Sequence, residues 1–119
     1  HNPAGMRALR AGLDCYFPDA PRVFLLGILK DKDIDAMLAV LLRPGDQVVT
    51  VRPNSERAAG ADVVAAVALG IGADTHACSD PRTALAEAEV RARAAHAVLV
   101  AAGSLYLVGG IRALLMAGR

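Results

Sequence analysis

The chain has 119 residues, 13 basic against 12 acidic for a formal charge of +1, and an apolar fraction of 55% in which alanine alone supplies 25 residues. This is the composition of one small globular domain with an aliphatic core: the apolar content excludes disorder, and the charge balance removes the basic footprint of a nucleic-acid binder. Two Phe and two Tyr leave little from which to build base-stacking platforms, and the stretch without a formal charge that could pass for a membrane span, Ala97 to Ile111, is short of the roughly 18 to 20 residues required and contains a Gly-Ser pair.

Asn2 before Pro3 supplies a helix cap and a first-turn proline ahead of Met6, Leu9, Leu13 and Tyr16 at helical spacing. After the Pro-Asp-Ala-Pro break at 18–21, the run Val23–Ile28 is apolar on both alternating faces, as a parallel strand between two helix layers should be. Asp31 and Asp33 lead into Ile34, Met37, Leu38, Leu41 and Leu42, the buried stripe of a second helix with acids at its positive end. Pro44-Gly45-Asp46 is a turn and Gln47–Val51 a short strand; Pro53-Asn54-Ser55 is read as opening a third helix that carries Gly60, Val63, Val64, Val67 and Ile71. Gly70 and Gly72 end that helix, Ala73–Cys78 is a weak third strand, and Asp80-Pro81 caps a helix to about Ala95. His96–Ala102 forms a fourth strand, and Leu107, Ile111, Leu114 and Leu115 line one face of a closing helix.

Cys15 and Cys78 lie far apart and belong to no CxxC or His-containing metal pattern, so both are expected to be reduced in a cytoplasmic protein, with no metal site of their own. The chain opens at His1 without Met, basic n-region or apolar h-region, which is expected of a piece of a longer polypeptide and not of a signal peptide.

Strict alternation of helices with strands apolar on both faces predicts an α/β fold: a doubly wound, mostly parallel sheet with helices on both sides. Such sheets bind ligands outside the carboxyl ends of their strands. Residues 29–33, 52–57, 79–81, 103–104 and the His1-Asn2 start are therefore expected to share one rim. That set holds Lys30, Lys32, Arg52, Arg57, Ser55, Ser104 and the His1 ring, all able to hold carboxylate or phosphate oxygens. No Gly-x-Gly-x-x-Gly follows a strand, and neither a P-loop nor a Gly-x-Ser-x-Gly elbow occurs, so the rim is suited to capturing a small anion and not to cradling a nucleotide phosphate alone or to serine hydrolysis. The plainer alternatives are that each Lys or Arg is a solvated charge and that Asp31, Asp33 and Ser104 are helix caps. His76 and His96, without carboxylate or cysteine neighbours, are read as structural, and Arg91 and Arg93 as a solvated helix face.

His1-Asn2-Pro3, the stretch Gly27-Ile28-Leu29-Lys30-Asp31-Lys32-Asp33, and Gly103-Ser104-Leu105-Tyr106-Leu107-Val108-Gly109, with Asn54-Ser55-Glu56-Arg57 between them, resemble the C-terminal domain of the folylpolyglutamate synthase and dihydrofolate synthase family, within the Mur ligase superfamily. The resemblance runs in order along the whole chain; the family's hinge motif reads Asp-Gly-Ala-His-Asn-Pro, and this chain starts at its His. It implies one C-terminal glutamate-ligase domain over residues 1–119, without the N-terminal ATP-binding P-loop domain. The implied activity is ATP-dependent addition of L-glutamate to folate, and possible use of dihydropteroate, through an acyl phosphate. ATP and Mg2+ would be bound mainly by the missing domain, in a monomer with no nucleic-acid or membrane partner. Carried over by residue, His1 is implied as a catalytic and ATP-contacting group and Asn2 as an ATP contact. Lys32 is the first choice for a glutamate contact, followed by Lys30, Ser104 and Arg57. The alternatives are the C-terminal domain of another Mur-type amino-acid ligase and a stand-alone small-anion or nucleotide-binding module.

Overall fold

The side-chain oxygen of Asn2 accepts a hydrogen bond from the Gly5 N–H at 2.7 Å, and Pro3 follows at the position where its missing N–H costs nothing. From this cap onward the computed structural model describes residues 2–116, leaving out the side chains of 105 and 106. The elements are α1 (Pro3–Tyr16), β1 (Arg22–Gly27), α2 (Ile34–Leu41), β2 (Gln47–Val51), α3 (Ala61–Ile71), β3 (Asp74–Cys78), α4 (Pro81–Ala95), β4 (Val98–Gly103) and α5 (Leu105–Met116).

The four strands form one sheet in the order β3-β2-β1-β4, every pair parallel. Period-two alternation in β1 divides the core between two faces. Phe24 and Leu26 face a layer built from Met6 and Leu13 of α1, Met37, Leu38 and Leu41 of α2, and Val64 and Ala68 of α3. Val23 and Leu25 face the other layer, where Ala84, Leu85 and Ala88 of α4 meet Leu107 and Ile111 of α5. All of β1 is buried, as a central strand covered on both sides requires. The predicted doubly wound α/β architecture, with helices on both faces of a parallel sheet, is the one observed.

Besides one-residue shifts that place β1 at Arg22–Gly27 and the end of β4 at Gly103, the starts of three elements differ from expectation. Helix α3 starts at Ala61, not near Pro53, because the chain at 57–59 turns to pair with the loop after β1: Lys30 N–H donates to the Arg57 carbonyl at 2.7 Å and Ala59 N–H to the Ile28 carbonyl at 2.9 Å. These bonds use the backbone groups that a longer helix would have needed. Strand β4 starts at Val98 because His96 takes a left-handed φ of 51° at the end of α4, and Ala97 N–H closes on the Ala92 carbonyl at 2.8 Å. Strand β3 starts at Asp74 because Ala73 N–H closes α3 on the Ala68 carbonyl at 3.1 Å, beside Gly72 at φ 99°.

Arg22, the first residue of β1, is buried and donates to Asp14 Oδ1 and to the Phe17 carbonyl, each at 2.9 Å, while its Nε has no partner among the described residues. This pins the end of α1 to the amino end of the sheet. The helix is 14 residues long, about 21 Å at the α-helical rise, so Asn2 comes out at the carboxyl end.

Candidate functional site

With all four strands parallel, the chain segments that follow Gly27, Val51, Cys78 and Gly103 leave the same edge of the sheet, as expected for the rim. Chain order reverses between β1 and β4, the place where doubly wound sheets open a crevice. Gly27 and Gly103 face each other there in register. Ser104 N–H donates to the Gly27 carbonyl at 2.7 Å, and Ser104 Oγ accepts from Leu107 N–H at 3.1 Å as the cap of α5. The residue is only 2% exposed. One of its two acceptor lone pairs is thus taken up within the fold, and what it can offer an anionic ligand is its hydroxyl proton and the start of α5 behind it.

Next to this point the loops after β1 and β2 are fastened together. Besides the two backbone bonds already described, Leu29 and Ala58 form an antiparallel bridge, and the Arg57 guanidinium forms an ion pair with the Asp31 carboxylate through Nη2 and Oδ2. That guanidinium holds the Asp31 carboxyl below the usual aspartate range, with burial opposing and the Lys32 charge assisting. Arg57 N–H also reaches Ser55 Oγ at 3.2 Å. Lys30 and Arg57, expected separately, are therefore joined directly.

Beyond Ser55 an open cleft of about 470 Å³ lies between the loops after β2 and β3, lined by Arg52, Pro53, Asn54, Ser55, Glu56, Ser79 and Pro81. Between the lining residues Ser79 and Pro81, Asp80 caps α4: one carboxylate oxygen accepts from Thr83 N–H at 2.9 Å and the other from the Thr83 hydroxyl at 2.9 Å, and these bonds, the backbone one first, hold its carboxyl below the usual range. Arg52 and Lys30 are exposed and Lys32 is half-buried, and among the described residues none of the three has an ion-pair partner. One rim thus carries three uncommitted cations and a fourth, Arg57, held by a single carboxylate, which is chemistry for a small polyanion.

Asn2 stands at the start of α1 with its side-chain oxygen accepting from Gly5 N–H and its amide nitrogen without a partner among the described residues, and His1 lies outside the described residues. In the sequence, Ser79 and Glu56 fall on the expected rim within 79–81 and 52–57, with no role for either. Their place in the cleft follows from β2 and β3 being neighbours, which no local pattern encodes. His76 on β3 and His96 at the end of α4 are exposed and lie outside the cleft lining. Among the described residues no group of three His, Cys, Asp or Glu side chains is placed to hold a metal ion.

A family model described as the Mur ligase, glutamate ligase domain matches residues 1–104. Among solved structures, Mycobacterium tuberculosis folylpolyglutamate synthase complexed with ADP is similar at 26% identity and a TM-score of 0.81, over 100% of this chain and 28% of that one. The Thermotoga maritima folylpolyglutamate synthase is similar at 28% identity and 0.81, over 100% of this chain and 27% of that one. The bifunctional folylpolyglutamate synthase/dihydrofolate synthase of Yersinia pestis, complexed with AMPPNP and Mn ion, gives 28% identity and 0.82, over 98% and 27%. The chain therefore spans little more than a quarter of the length of these relatives. No curated protein sequence matches it significantly.

Proposed function

The chain belongs to the Mur ligase family of glutamate ligase domains, and from that premise we propose that it is the C-terminal part of an ATP-dependent amide ligase that adds L-glutamate to a folate in the cytoplasm. The observation that carries the reading is the cation-rich rim itself: Lys30, Lys32 and Arg52 without ion-pair partners among the described residues, beside Arg57. Likeness over the full chain to synthases that act on folate supports the choice of substrate.

In this reading the rim captures and orients glutamate. Lys32, with Lys30 beside it in sequence, offers compact ammonium groups to a side-chain or α-carboxylate, and the free N–H groups of Arg57 add a planar fork. Ser104 donates its hydroxyl proton from the start of α5. A cationic rim has a second consequence: like charge disfavours the ammonium form of the incoming amino group, so more of it is present as the neutral amine that can attack. ATP supplies the phosphoryl group that activates the folate carboxylate as an acyl phosphate. Glutamate nitrogen then forms the bond to the acyl carbon as phosphate leaves, and the contribution of this chain is proximity and orientation. Asn2, through its amide nitrogen, and His1 are assigned to the nucleotide side. With no metal-holding group among the described residues, the divalent ion and the P-loop are assigned to the rest of the ligase.

The test is isotopic. Folate labelled with 18O in its carboxylate is incubated with the full-length protein, ATP, Mg2+ and glutamate; the reading requires one label to appear in inorganic phosphate for each amide formed. Amide formation with unlabelled phosphate would overturn it. The 119-residue chain alone is expected to form no product.

A further inference from the structure

The Asp31–Arg57 pair joins the lysine-bearing loop after β1 to the loop that lines the cleft, and it does so in the open: the two side chains are 49% and 59% exposed. Pairs this exposed add little to folding. The loops themselves are held by other means, namely the Lys30-to-Arg57 and Ala59-to-Ile28 backbone bonds at 2.7 and 2.9 Å and the Leu29–Ala58 bridge. Removing the Asp31 carboxylate would leave these in place and release only the guanidinium. That guanidinium, no longer neutralised and with Lys30 and Lys32 on the neighbouring loop, would be repelled towards solvent.

We propose that Asp31 is a positioning residue for the amino-acid substrate, fixing the Arg57 guanidinium through one nitrogen so that its remaining N–H groups are set in advance for a ligand carboxylate. A guanidinium has five donors in a fixed plane, so one arm on Asp31 determines the direction of the others. The same contact steadies Arg57 where its backbone N–H meets Ser55 Oγ, extending the alignment to the cleft wall. Ordering one long side chain before the ligand arrives is worth roughly 2- to 12-fold in affinity. The inference rests on the proposed ligase function, in which the amino-acid substrate is the ligand assigned to Lys30, Lys32 and Arg57.

Full-length enzyme carrying Asp31→Ala, Asp31→Asn, Asp31→Glu, Arg57→Ala and the Asp31→Ala/Arg57→Ala pair is assayed for glutamate and ATP dependence, with a thermal melt of each variant. Asp31→Ala is expected to raise the KM for glutamate about fivefold, with a much smaller change in kcat, an unchanged KM for ATP and an unchanged melt. Asp31→Asn should fall between it and the parent, and Asp31→Glu should recover most of the loss. In the Arg57→Ala background, Asp31→Ala should add nothing, since its effect acts through Arg57. An unchanged glutamate KM in Asp31→Ala, an equal rise for ATP, or a full Asp31 effect persisting without Arg57 would each overturn the inference. Glutamate ligation by the parent with a flat Asp31 response rejects this inference alone, whereas no ligation by the parent rejects the ligase reading beneath it.

Discussion

Gly103 approaches Gly27 so closely that a Cβ on Gly103 would lie 2.2 Å from the Gly27 carbonyl oxygen, and the φ of Gly103 is 117°. The contact sits at the reversal point of the sheet, and the same carbonyl receives Ser104 N–H at 2.7 Å. Both residues are fixed by one requirement: β1 and β4 must stay paired up to their last residues so that α5 can start directly above the crevice. Gly103→Ala therefore combines a left-handed backbone with a backbone clash and is expected to cost about 3 kcal/mol or more, read as a lowered midpoint in urea unfolding. Unchanged stability would show that the two strands separate there more easily than the pairing indicates.

Ser104→Ala separates two uses of one side chain. The Leu107 N–H would lose its cap in a buried setting, at a cost of about 1–2 kcal/mol. The glutamate KM of the full-length enzyme should rise as well if the hydroxyl proton serves the ligand. Lys32→Ala, which removes no described hydrogen bond or ion pair of its side chain, should raise the glutamate KM more than the ATP KM while leaving the melt unchanged. Unchanged glutamate kinetics in both variants would remove these residues from the site.

Acid sensitivity is expected at the opposite pole. Asp14 is held below its ordinary value of 3.8, chiefly by its hydrogen bond from buried Arg22, with burial opposing. A carboxylate whose folded pKa is depressed contributes stability that is present above the unfolded value and lost as pH falls through the folded one. Stability should thus be flat near neutrality and fall below about pH 4. Asp14→Asn should lower the neutral plateau and flatten that fall, because Arg22 loses its counter-charge at every pH. Chemical denaturation between pH 2 and 7 checks this, and an acid limb unchanged by Asp14→Asn would assign it to other carboxylates.

Much of the fold was legible because it is written in local chemistry. Asn2-Pro3 and Asp80-Pro81 announce two helices, and Val23 to Ile28 reads as a strand buried on both faces, within one residue at each end of the observed β1. The candidate rim residues were legible as a set because a parallel sheet sends all its carboxyl ends to one edge. What stayed hidden depends on contacts between distant segments. The late start of α3 at Ala61 arises from pairing of 57–59 with 28–30, and the engagement of Arg57 by Asp31 follows from that pairing. The left-handed backbone at His96 carries only a weak signal in the residue type, since histidine is enriched there among non-glycine residues but still seldom adopts it.

The most direct measurement is ATP-dependent glutamylation by the full-length protein: purified enzyme, a reduced folate, labelled glutamate, ATP and Mg2+, with products separated by chain length and ADP counted in parallel. The expected result is glutamylated folate formed with one ADP per glutamate added, and a glutamate KM that rises in Lys32→Ala. A folded protein that binds ADP yet transfers no glutamate to folate would contradict the account.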